Sequence, residues 1–293
     1  MRQIDPRLRP AVMPALRRLT WSAALTSALL AATIGAARAE GRLSAKYSLT
    51  VAGVEIGRAS ITVDAGDTAY QVIGTGKVTG IMRAVSAGKG SAAARGAITV
   101  NKLAPQIYAL SAEADGKAES VRLAMVAGTA KEVDVEPPIK PLPDRVEVTE
   151  THLANIMDPV SGAFVYVPGT ADLLSAAACD RSIPIFDGRQ RYDVSLTFLR
   201  IEQVKAGKTY AGPAVVCRAG YTPVAGHRPT RSTVKYMMEN KEMYVWLVPI
   251  AGTRLLAPFR VSIATMIGTA TLEATSFEAE AKDKAVPISA PKP

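Results

Sequence analysis

The sequence is poor in the side chains that carry most enzyme chemistry. Its 293 residues include two histidines, two cysteines and 5% aromatics. Two imidazoles exclude a His-rich metal site. Cys179 and Cys217 are far apart, so there is no CxxC redox pair. No G-x-S-x-G elbow, acidic pair or calcium-loop pattern occurs. With few aromatics and no basic block, a stacking platform for nucleic acid is not expected, and no cofactor-binding residues stand out.

What is present begins with charge. The formal net charge is +9, but it is unevenly placed. Residues 1–39 hold Arg2, Arg7, Arg9, Arg17, Arg18 and Arg38 against Asp5 alone, so more than half of the excess sits in the first 39 residues. This segment reads as a cleaved signal peptide. A basic start ends at Arg18, an uncharged apolar stretch runs from Leu19 to Ala36, and Ala37-Arg38-Ala39 supplies the small-x-small site, with cleavage after Ala39. An uncleaved anchor is the other reading, weakened by the Ala, Ser and Thr content of the stretch. No later segment is apolar enough to span a bilayer, so no transmembrane segment is expected in the mature chain. In an oxidising compartment Cys179 and Cys217 are most simply a disulfide. The loop they close is worth about 4 kcal/mol in the chain-entropy account.

The rest alternates like strands. Tyr47, Leu49 and Val51 alternate with polar or small residues, and Gly53 precedes a second run through Ile61 and Val63. Asp115-Gly116 is a hairpin signal. Gly74, Gly76 and Gly80 are expected to break a strand, and residues 81–98 show little periodicity. Residues 136–144 carry four prolines and read as an extended linker. Asp158-Pro159 is a good helix start, with residues 161–167 continuing the helix and 171–178 forming another. Tyr192, Val194, Leu196 and Phe198 share one face of a later strand. Residues 233–238 and 243–248 read as strands around a polar turn, and a last pair surrounds Gly268. Turns every 8–12 residues and no βαβ rhythm indicate an all-β, mainly antiparallel fold: a strongly curved sheet or open barrel-like structure with a few short helices. The expected organisation is one large β domain over 40–280, with two possible halves joined near 136–145, and a flexible tail over 281–293.

The glycine patterns lack the context of nucleotide loops. Gly74-Thr75-Gly76 has no clear helix after it and reads as a strand-end turn. His227 lies in the polar turn Gly226-His227-Arg228-Pro229 and reads as solvated, while His152 reads as structural or exposed. The densest constellation is Asp187-Gly188-Arg189-Gln190-Arg191-Tyr192. Asp187 suits a turn cap, and Arg189 and Arg191 with Tyr192 could grip an anion. The plainer reading pairs the arginines with neighbouring acids.

Asp158-Pro159-Val160-Ser161, then Ile185-Phe186-Asp187-Gly188-Arg189 leading into Tyr192-Asp193, then Val245-Trp246-Leu247-Val248-Pro249 resemble the family catalogued as "domain of unknown function 3108". The likeness spans most of 45–278. It implies an exported Gram-negative envelope protein, periplasmic, with an antiparallel β fold and no assigned catalytic residues. Asp187, Arg189, Arg191, Tyr192 and Trp246 are the candidate ligand or partner contacts. The expected function is a binding or structural role in the cell envelope, with the apolar face of Tyr192, Val194, Leu196 and Phe198 holding a lipid or another apolar ligand. Alternatives are a protein-interaction module of an envelope complex and an unrecognised periplasmic hydrolase.

Overall fold

A computed structural model of the chain describes residues 40–80, 87–100 and 102–281. The leader, and all of the tail beyond Ala281, lie outside the described residues. Seven strands leave the N-terminus in a meander: β1 (Gly41–Val51), β2 (Val54–Ala65), β3 (Ala69–Val78), β4 (Gly88–Ile98), β5 (Leu103–Ala114), β6 (Lys117–Val126) and β7 (Thr129–Glu136). Three of their hairpins turn on two residues, Ala52-Gly53, Asp115-Gly116 and Ala127-Gly128. Both residues of each turn have positive φ, as in 49° and 81° for the first. That is the turn whose twist matches the strands it joins, and glycine takes its second position each time.

The proline-bearing segment after β7 leads to a short helix, α1 (Pro159–Gly162), and a two-residue strand, β8 (Val165–Tyr166). The chain then meanders again through β9 (Arg181–Phe186), β10 (Arg191–Ala206), β11 (Tyr210–Ala225), helix α2 (Ser232–Glu239), β12 (Met243–Pro249), β13 (Leu255–Thr265) and β14 (Gly268–Ala281). The two meanders join where β1 pairs antiparallel with β14, from Gly41 opposite Ala281 to Val51 opposite Ala270. The spatial order is β7 through β1, then β14 back through β9, with β8 pairing β13 off this path. The result is an open, barrel-like antiparallel sheet of 14 strands. Its ladders shift register at several points, including Lys46/Tyr47 and Trp246/Leu247, and such bulges bend strands and increase twist.

The free edges are β7 and β9. Among the described residues no ladder joins them, but the gap is filled. Met157 bridges β9, donating to the Pro184 carbonyl at 2.7 Å and accepting from the Phe186 amide at 2.9 Å. The neighbouring Ile156 amide donates to Gly128 O in the β6–β7 turn at 2.9 Å. Phe186 is buried with Tyr108, Val121, Leu123 and Met125. Gly188, at φ +93°, comes so close that a Cβ there would stand 2.5 Å from Val121 Cγ1.

Strands β11, β12 and β13 are buried on both faces. Ala214 and Val216 join the core of Leu43, Tyr47, Val63, Phe259 and Phe277, while Val215 and Cys217 join a second core with Leu196, Leu247 and Leu256. Continuous apolar runs follow from this two-sided burial.

Several local expectations are corrected. Residues 233–238 belong to helix α2, not a strand: Val234, Met237 and Met238 are spaced for a helical stripe, and the helix packs on β11. The helix after Asp158 stops at Gly162, because Val165 and Tyr166 pair with Leu256 and Leu255. Only Ala176–Ala178 coils in the 171–178 region, as a 3-10 turn whose Ser175 cap accepts from the Ala177 amide. Gly74 and Gly76 lie inside β3, which runs to Val78, and β4 orders most of the segment without periodicity.

Candidate ligand-binding cavity

Alternation on β10 turns Tyr192, Val194 and Leu196 toward one face, and each lines an apolar cavity of about 280 Å³. Ile183 and Ile185 of β9 and Ala219 to Tyr221 of β11 extend its wall. Met243, Val245 and Leu247 of β12 and Val261 and Ile263 of β13 complete it. Pro159, Gly162 and Ala163 lie over it, and Met237 of α2 closes one side. Phe198, fourth in the same row, packs in the adjoining core instead.

The segment that follows the cover is fixed to the sheet. Cys179 and Cys217 form a disulfide, with Cα atoms 5.7 Å apart, joining the end of the Ala176–Ala178 turn to β11. Arg181 donates to the carbonyls of Cys179 at 3.1 Å and Tyr166 at 2.9 Å. A preformed pocket of this kind loses less entropy on binding than a floppy one.

Hydroxyls of Tyr192, Tyr221 and Tyr244 are the polar side-chain groups of this lining. The Tyr192 and Tyr221 rings lie 5.5 Å apart and tilted by 43°. Burial, and then the Asp187 carboxylate, push both phenols above the usual tyrosine range. They therefore stay protonated at neutral pH and can donate hydrogen bonds.

Asp158 governs the position of the cover. It is fully buried, and its Oδ1 accepts from the amides of Val160 at 3.0 Å and Ser161 at 2.8 Å, capping α1. The Ser161 hydroxyl is 2.7 Å from the Tyr70 hydroxyl on β3. Helix α1 thus stands between two spaces. Its Val160 reaches a second cavity, about 590 Å³, among the small residues of β2 to β5. The glycines of β3 make that room: a Cβ on Gly74 would meet nothing nearer than 3.6 Å.

The candidate contacts read from the sequence do not converge. Asp187 caps its turn, accepting from the amides of Arg189 at 2.8 Å and Gln190 at 2.6 Å. Arg189 donates to the carbonyls of Glu136 and Pro137 at 3.2 Å. Arg191 pairs with Asp193 at 2.7 Å. Tyr192 alone of the five lines the apolar cavity. Trp246 belongs to the core on the opposite face of β12, with the Arg260 guanidinium 5.0 Å from its ring centre. The sequence reading missed Pro159, Gly162 and Met237, which come from segments remote from β10. It also took His227 as solvated, whereas it is 9% exposed. His152 is held locally, its Nδ1 accepting from the Thr149 amide at 3.1 Å. Among the described residues no group of three His, Cys, Asp or Glu could hold a metal ion, and no helix is long and apolar enough to cross a membrane.

A family model described as "Protein of unknown function (DUF3108)" matches residues 46–275. The chain belongs to the DUF3108 family. No curated protein matches it. Among solved structures it is similar to a beta-barrel-like protein of domain of unknown function DUF1849 from Brucella abortus, at 10% identity and a TM-score of 0.49. That match covers 83% of this chain and 98% of the other. In this DUF3108 protein the motif Asp158-Pro159-Val160-Ser161 forms the capped plug between the two cavities.

Proposed function

We propose that this DUF3108 protein is a non-catalytic periplasmic binding protein of the cell envelope, holding an acyl chain in the cavity beside Tyr192. The observation that carries the reading is the lining itself. Apolar side chains from six strands, the cover and α2 surround a space whose side-chain hydrogen-bonding groups are tyrosine hydroxyls. A ligand with many polar atoms would lose its water there without replacement, at about 1–3 kcal/mol per unpaired group. A hydrocarbon chain gains about 0.8 kcal/mol for each methylene buried. Met237 and Met243 can adjust to chains of different bend. The arginine-rich leader supports export, and the disulfide suits an oxidising compartment.

Native mass spectrometry of protein purified from periplasm, together with titration of a fluorescent fatty acid, tests the reading. A copurifying lipid, and fatty-acid binding weakened at least tenfold in Val261→Phe, is the expected result. Absence of both bound lipid and fatty-acid binding would overturn it.

A further inference from the structure

The segment after β7 returns to the sheet beside the end of β11. The Val146 amide donates to His227 O at 2.9 Å, and the Gly226 amide to Val146 O at 2.8 Å. Gly226 is required there. Its φ is +79°, and a Cβ would stand 2.1 Å from Arg189 O and 2.9 Å from Gln190 Cα. Three distant stretches therefore meet around a separate cavity of about 200 Å³, lined by Arg145, Gln190, His227, Arg228, Arg231 and Thr233 among others.

The charges in this lining are all basic. The neighbouring acid, Asp144, is already engaged: both its oxygens accept from Arg228 Nε, at 2.8 and 3.0 Å, and Oδ2 accepts from Thr230 at 2.5 Å. Arg145 and Arg231 have no carboxylate partner among the described residues. In this lining two buried nitrogens lack any hydrogen-bond partner among the described residues, Arg145 Nε and His227 Nδ1. His227 is more than nine-tenths buried and lines the cavity. Native structures rarely leave such groups unsatisfied without a reason.

Helix α2 begins at the same place. Arg231 holds its cap position and supplies no side-chain acceptor, and there is no acid in the first turn. The Val234 and Lys235 amides donate to Arg231 O at 3.1 Å, so the amides of Ser232 and Thr233 are the ones offered to an outside acceptor, at the end of a helix that favours negative charge. Guanidinium groups, an imidazole and helix amides approach from different directions. A tetrahedral oxyanion can accept from all of them, whereas a carboxylate has only two oxygens.

We infer that this cavity binds phosphate, free or as the headgroup of a monoester, between Arg145, His227 and Arg231 at the start of α2. The inference does not depend on acyl-chain binding.

Calorimetric titration of the full chain with inorganic phosphate and with dihexanoyl phosphatidic acid, against sodium chloride of equal ionic strength, tests it. Arg145→Gln and Arg231→Gln are compared after circular dichroism shows them folded; Arg231 is exposed, so its replacement should not disturb the fold. Phosphate binding that each variant weakens at least tenfold supports a site for the free anion. Binding of the phosphatidic acid alone, weakened likewise, supports the headgroup. No binding of either above the chloride control, or binding unchanged in the variants, would overturn the site.

Discussion

Asp158 shows how one residue can serve the fold at a cost that depends on pH. Its Oδ1 caps α1, but Oδ2 is buried without a hydrogen-bond partner. Burial raises its pKa above the ordinary 3.8, and the bonds to Ser161 and Val160 oppose the rise without cancelling it. The native carboxyl therefore binds its proton at pH values where the unfolded one has lost it. Between 3.8 and the raised native value the folded state holds more protons, so this residue's contribution to stability falls as pH rises through that window. Asp144 works in the opposite sense. Its bonds to Arg228 and Thr230 lower its pKa, giving stability that is present above 3.8 and lost as pH falls through the lowered native value. Asp158→Asn keeps an acceptor for the cap and removes the titration. Urea unfolding across this range should show wild type losing stability relative to the Asn variant as pH rises above 3.8. A constant difference between the two would mean that Asp158 does not titrate with folding. Asp158-Pro159 was legible in the sequence as a cap and first turn. Its burial was not, because the Tyr70 hydroxyl that meets Ser161 comes from a strand 91 residues away.

At the scale of elements, local signals were clear where local chemistry decides the structure. Asp115-Gly116 is a turn because both positions need positive φ, and Tyr192, Val194 and Leu196 share a face because strands alternate. The first strands and the last hairpin were readable for the same reason. Helix α2 was misread because its start carries no capping side chain and its eight residues are too few for periodicity to decide. The poor cap is informative in itself. Local rules are most often broken where a site needs something else, and here an arginine replaces the acidic or hydroxyl cap that the helix would favour. Arg231→Asp should therefore stabilise the protein in phosphate-free buffer, by about 1 kcal/mol from capping. For a domain of this size that corresponds to roughly 2–4 °C in the thermal midpoint. Thermal denaturation followed by circular dichroism checks it, and an unchanged or lower midpoint would show that α2 gains nothing from a cap. The phosphate cavity was invisible at this scale, because Arg145, Gln190 and His227 are brought together only by the packing of the linker against Gly226.

The whole sheet is held unevenly around its circuit. Where the first and last of the described strands meet, β1 is laddered to β14 along its full length. Where β7 faces β9, the join consists of the Met157 bridge, Arg189 on two carbonyls, and the packing of Phe186 and Gly188 against β6 and β7. Sequence patterning could not show this difference, since an edge strand and a central strand alternate alike. The seam depends on few side chains, so each should matter. Phe186→Ala removes a fully buried ring and should cost about 3–5 kcal/mol. Gly188→Ala would place a methyl group against Val121 at a positive φ that alanine adopts poorly, and should destabilise the same region. The location of the loss is the stronger test than its size. If the seam is the weakest join, native-state hydrogen exchange in either variant should accelerate first at β6 and β7, while the β1–β14 ladder keeps protection close to the global limit. Equal loss of protection in all strands would mean that the sheet opens as one unit. Because β9 forms one side of this seam and also lines the Tyr192 cavity, the same local opening would also expose the apolar space, and fatty-acid association should be faster in Phe186→Ala than in wild type.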